Sequence, residues 1–229
     1  MSIAATALLM FLSQDTRTVP KLAEPAARSI SWQIDLKFVE PRRIEVQTPG
    51  DSQPQVYWYL VYTATNTSST TQQFFPIFQL VTDDLHMFET DMGVNHLVFD
   101  AIKERHRATH PLLIDPTRAI GPLSVGDDNA RESVAIWRNV DLGKTNQFKI
   151  FVTGLSGETK LIRNPGFKAA GAAGSTPASA AASSDAAGVN NSKYFTLRKT
   201  LEITFSLPGS DEAREQTDPK RVGMRWIMR

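Results

Sequence analysis

The chain has 229 residues, 25 Lys and Arg against 24 Asp and Glu, and a net charge of +1. The balance looks close throughout, which gives no electrostatic case for nucleic acid or an anionic membrane as partner. The lack of cysteine excludes disulfides, thiolate metal sites and a lipid-modified cysteine, while 41% hydrophobic residues suffice for one large core or two small ones.

The first fourteen residues, MSIAATALLMFLSQ, are uncharged, and Ile3 to Leu12 is a continuous apolar or small run. That run is too short for a stable transmembrane anchor. It resembles the hydrophobic part of a secretory signal peptide, with cleavage near Ser13 or Gln14. Residues 1–14 are therefore read as a signal peptide and 15–28 as a linker. The protein is then exported to the periplasm, envelope or extracellular space, with no stable membrane span after processing.

SWQIDLKFV, residues 31–39, alternates with one buried face: Ile30, Trp32, Ile34, Leu36 and Phe38 point one way. Pro41 interrupts, and RRIEVQ resumes as a short strand. After the loop 48–55 comes VYWYLVYTATN, rich in the β-branched and aromatic types that suit a pleated surface. Side chains alternate across a strand. Val56, Trp58, Leu60, Tyr62 and Ala64 form the more apolar, inward face. Tyr57, Tyr59, Val61, Thr63 and Thr65 form the wetter one. Such a strand is central rather than an edge. NTSSTT, residues 66–71, is a turn. FFPIFQLVT, residues 74–82, follows as its antiparallel partner, with Pro76 at a bulge or an edge. A turn and a short strand around Met87 and Phe88 come next.

VNHLVFDAIKERHR, residues 94–107, is the one good helical stretch. Val94, Leu97, Val98, Ala101, Ile102 and Arg105 fall on one face, with Asn95 or Asp91 as cap. HPLLID, residues 110–115, reads as a short strand, as do 133–140 and 147–155. Residues 164–192 have too few large apolar groups to offset the entropy of ordering, and read as a disordered Ala/Gly/Ser-rich insertion. Alternation returns at Tyr194 with Phe195, Leu197, Leu201, Ile203, Phe205 and Leu207. It recurs in RVGMRWIMR, which ties the C-terminus into the sheet and offers an edge for another chain. Strands on both sides of the insertion make 29–229 a single domain. The fold class is mainly β: an antiparallel two-sheet sandwich with one crossover helix.

No pattern here carries catalysis. His86, His96, His106 and His110 cluster, with Asp83, Asp84, Glu89, Asp91, Asp100 and Glu104 nearby. Imidazole with carboxylate suits zinc or a similar cation. His96, His106, His110 and Asp100 are thus the weak metal candidates, against the plainer reading of polar residues on a solvated helix and its loops. The acidic run from Asp83 to Asp91 lacks the spacing of a calcium loop, and GLSGE at 154–158 lacks the context of a nucleophile elbow. Asn66 and Asn190 fit the glycosylation sequon. Trp32, Trp137 and Trp226, with the central tyrosines, read as core rather than as a sugar- or peptide-binding face.

YTATNTSS, then FQLVTDD, then IGPLSVGD with ESVAIW, then FKIFVTGL, together resemble bacterial extracytoplasmic immunoglobulin-like domains of unknown function, over about residues 56–155. The resemblance implies an immunoglobulin-like sandwich acting as a binding or assembly module, with no catalytic residues and no cofactor. The expected function is a non-catalytic binding or structural role in the cell envelope, with an envelope protein or polysaccharide as partner. The alternative is a metal-binding protein or hydrolase using the His86–His110 region.

Overall fold

A computed structural model describes residues 32–90, 93–167, 193–214 and 217–229. The expected signal peptide, the linker, Ile30, Ser31, Asp91, the sequon at Asn190 and the insertion beyond residue 167 lie outside these residues. The chain is mainly β, with antiparallel strand pairs and few helices.

Strand β3 (Gln55–Asn66) is the centre of the first sheet. It pairs with β8 (Arg131–Arg138) along one edge. Along the other it pairs in tandem with β1 (Ile34–Phe38) and β2 (Arg42–Val46). The register shifts by one residue between β1 and β2, where Glu40 and Pro41 break the run. A one-residue slip turns side chains to the opposite face. Ile34, Leu36 and Phe38 accordingly pack into the sandwich, whereas Ile44 and Val46 pack on its other side.

The second sheet runs β6 (Met87–Glu89), β5 (Ile77–Thr82), β9 (Gln147–Thr153), β11 (Tyr194–Ser206), β12 (Lys220–Met228). Its inner residues Phe78, Leu80, Phe148, Ile150, Val152, Leu201, Ile203 and Phe205 meet Trp58, Leu60, Tyr62, Ala64 and Trp137 of the first sheet. That is the main core. Of the inward set expected for β3, Trp58, Leu60, Tyr62 and Ala64 are in place, and Val56 is half-buried outside this cluster.

The outward set is not wet. Tyr57, Tyr59 and Val61 are buried under helix α1 (His96–Arg105), against Val98, Phe99 and Ile102. The helix supplies a third layer, and β3 is covered on both faces. Asn95 caps α1: its side-chain oxygen accepts from the Leu97 N–H at 3.0 Å.

One expected pairing and one expected strand fail. The 74–82 run does not pair with β3, because the chain leaves the first sheet after Asn66. Pro76, with no N–H to give a ladder, splits the run into β4 (Gln72–Phe74) and β5. Strand β4 pairs with β7 (Gly121–Leu123), and β5 joins the second sheet. Residues 110–115 form no strand. They lead into the short helix α2 (Pro116–Ala119), capped by Asp115, with Leu113 buried.

Candidate functional site

The histidine region does not converge. His96 opens α1 and His106 follows its last turn, so some 15 Å of helix separates them at 1.5 Å per residue. Asp100 is exposed on the same helix. His86 sits in the β5–β6 turn beside Leu85, whose φ is +67°. Its Nδ1 lies 2.8 Å from Asp84, which also takes the Thr82 hydroxyl. His106 and His110 do meet, their rings 5.6 Å apart. Among the described residues no three His, Asp or Glu side chains are grouped as a metal site.

His106 has a structural partner instead. It is buried, and its Nε2 shares a 3.0 Å hydrogen bond with the Tyr59 hydroxyl. Burial, then the nearby His110, Arg42 and Arg105, hold His106 below the usual histidine range. Burial raises the Tyr59 phenol against the pull of Arg105 and Arg42. The pair pins the end of α1 to β3 as a neutral hydrogen bond. Asn66 is also structural. It is fully buried, and its amide nitrogen donates to the carbonyls of Thr70 and Leu123 at 2.9 Å. That nitrogen is unavailable to a glycan in the folded chain. A recess lined by Tyr62, Pro76, Phe78, Pro116, Ile120 and Ala135 offers about 30 Å³, the room of a water rather than of a substrate.

The exposed chemistry lies at the other end of the second sheet. Strand β9 continues, after an irregular link at 154–158, as β10 (Thr159–Arg163), which pairs with residues 194–198 of β11. The link is pinned to the start of β1: Ile34 N–H donates to Leu155 O at 2.8 Å. Strand β12 reaches back only as far as Lys199 and Arg198. Beyond that point β10 and β11 form a two-stranded arm. Leu161, Ile162, Tyr194 and Phe195 on it are 63%, 36%, 50% and 38% exposed. Ile162 stands opposite Phe195. Phe195 and Leu197 fall on the side of β11 that carries Leu201, Ile203 and Phe205, and Lys199 separates them from the interior row.

Charge concentrates on the side of the sheet that carries the arm and β12. Strands β10, β11 and β12, with Lys193 and Arg229, carry nine cationic side chains and one carboxylate, Glu202. The balance along the chain is therefore not close throughout. Burial pushes the Glu202 carboxyl up, but its bonds with Arg225 at 2.9 Å and Lys149 at 3.3 Å outweigh this and hold it below the usual range. Lys199 pairs with Glu158 at 3.0 Å. Lys160, Arg163, Arg198, Lys220, Arg221 and Arg229 form no ion pair among the described residues. Arg221 stacks over Phe38 and Arg229 over Phe151.

Strand β10 was missed in sequence because TKLIR places Leu161 and Ile162 side by side, which breaks the alternation that marks a strand. Comparison with protein-family models, with curated proteins and with solved structures finds no match.

Proposed function

We propose that the protein is an exported, non-catalytic binding module of immunoglobulin-like type, acting in the cell envelope on an envelope protein. The observation that supports this reading is the two-stranded arm, which exposes Ile162 and Phe195 on one face and Leu161 and Tyr194 on the other. Exposed apolar patches rimmed by polar groups mark interaction surfaces. Apolar rows favour a protein partner over a polysaccharide.

The test is fractionation of cells expressing the full chain. The expected result is a product lacking residues 1–14 in the envelope fraction. An Ile162→Ser/Phe195→Ser variant with an unchanged melting temperature is expected to move to the soluble fraction. An uncut chain in the cytoplasm, or a variant that fractionates as wild type, counts against the reading.

A further inference from the structure

Strand β12 presents a free edge. Arg198 and Arg229 exchange both backbone hydrogen bonds, at 2.7 and 3.1 Å. In an antiparallel ladder such exchanging pairs alternate with non-exchanging ones. Arg225 and Ile227 therefore turn their backbone groups toward β11, and Met224, Trp226 and Met228 turn theirs away. No strand pairs on that side among the described residues. Met224 is 55% exposed. The side chains sort by face as well. Met224 and Trp226 stand beside Ile203 and Leu201 on the core side, while Arg225 stands beside Glu202 on the outer side. Alternation puts Met228 with the first pair and Ile227 and Arg229 with the second.

We infer that this edge takes an extended acidic segment of another protein as an added antiparallel strand, with apolar residues toward the core side and carboxylates on the outer side. Main-chain bonds would supply affinity and alternate side chains specificity. Carboxylates opposite Arg229, and opposite Arg225, which also bonds Glu202, would lie at cross-strand distance, where opposite charges attract and like charges repel. The same rule disfavours a second copy of β12 paired about Arg225, which sets that residue against its own copy. The register shift beside Thr204 and Phe205, which leaves Val222 as an extra residue, marks where pairing ends. This deepens the binding reading by naming the partner's chemistry. Its test uses purified full chain, so failure of export and failure of the edge are told apart.

The probe is a nine-residue peptide alternating Val and Glu, measured by fluorescence anisotropy at neutral pH. Saturable binding is expected, weakening as salt rises. An alternating Val and Lys peptide, and a peptide of the first composition in two blocks, are expected to bind at least about tenfold more weakly, a loss of roughly 1.4 kcal/mol. So is a Val/Glu peptide N-methylated at its Val amides, the ones that would stand opposite Met224, Trp226 and Met228 and donate to β12, which cannot complete the ladder. Met224→Pro removes an N–H that points away from β11, a position where an edge strand tolerates proline; it is expected to abolish binding with the melting temperature kept. No binding of the Val/Glu peptide overturns the inference. So does equal binding of the block or N-methylated peptide, undiminished binding by a folded Met224→Pro chain, or binding of phosphatidylglycerol vesicles with none of the peptide.

Discussion

Gly154, in the link between β9 and β10, is held at φ +83°, and a Cβ there would land on the Phe75 carbonyl and 3.2 Å from Pro76 Cα. Gly121 is at φ +107° with nothing within 4 Å. Each alanine replacement bears the left-handed strain of about 1–3 kcal/mol, but only Gly154→Ala also forces backbone apart. Urea titration is expected to show the larger loss for Gly154→Ala; equal losses would mean that the link moves freely away from Phe75. His106 sets a pH dependence. Its native pKa is depressed, so it contributes stability above the unfolded value of about 6.5, lost as pH falls toward the native value. Wild-type urea midpoints are expected to drop between about pH 7.5 and 5 by a component that His106→Gln lacks. Glu202, also depressed, acts lower, with stability present above about pH 4.3 and lost below it, which keeps the two windows apart.

Helix α1 owes its place to β3 rather than to its own sequence. Its first turn carries no acidic residue, and ten residues make a marginal helix alone. What holds it is the burial of Val98, Phe99 and Ile102 on Tyr57, Tyr59 and Val61. Ile102→Ala is expected to cost about 2–5 kcal/mol, read from the urea midpoint and slope. A loss well below that would mean the helix can be shed without exposing the tyrosines. The helix itself was legible, since 3–4 spacing and Asn95 mark it plainly. Its seat was not. Tyr57 and Tyr59 carry hydroxyls and pass for a wet face until a distant segment covers them, and nothing local says that one will. Phe99, absent from the expected face, is buried because the stripe that meets a flat sheet is wider than the ideal 3–4 row.

At the scale of the whole molecule, period-two alternation sufficed to locate β1, β3, β9, β11 and β12 and to set which side of β3 meets the second sheet. It did not carry pairing. After Asn66 the chain changes sheets, and that choice rests on Pro76 and on partners many residues away. Because β3 belongs to both cores, the sandwich and the helix layer share one strand. A single transition is expected, with near-ultraviolet and far-ultraviolet circular dichroism melting together. Separate melting of helical signal would show that the two layers are independent. One consequence comes from the arm, where Asn164 N–H donates to Lys193 O at 3.0 Å and Arg163 stands opposite Tyr194. The chain departs and returns at adjacent points, a gap that a two-residue turn can close. Swapping residues 165–192 for Asn-Gly, the favoured two-residue hairpin turn, is expected to leave the melting temperature unchanged. The same doorway would then accept an epitope or a reporter domain, a grafting port supplied by the hairpin's own geometry.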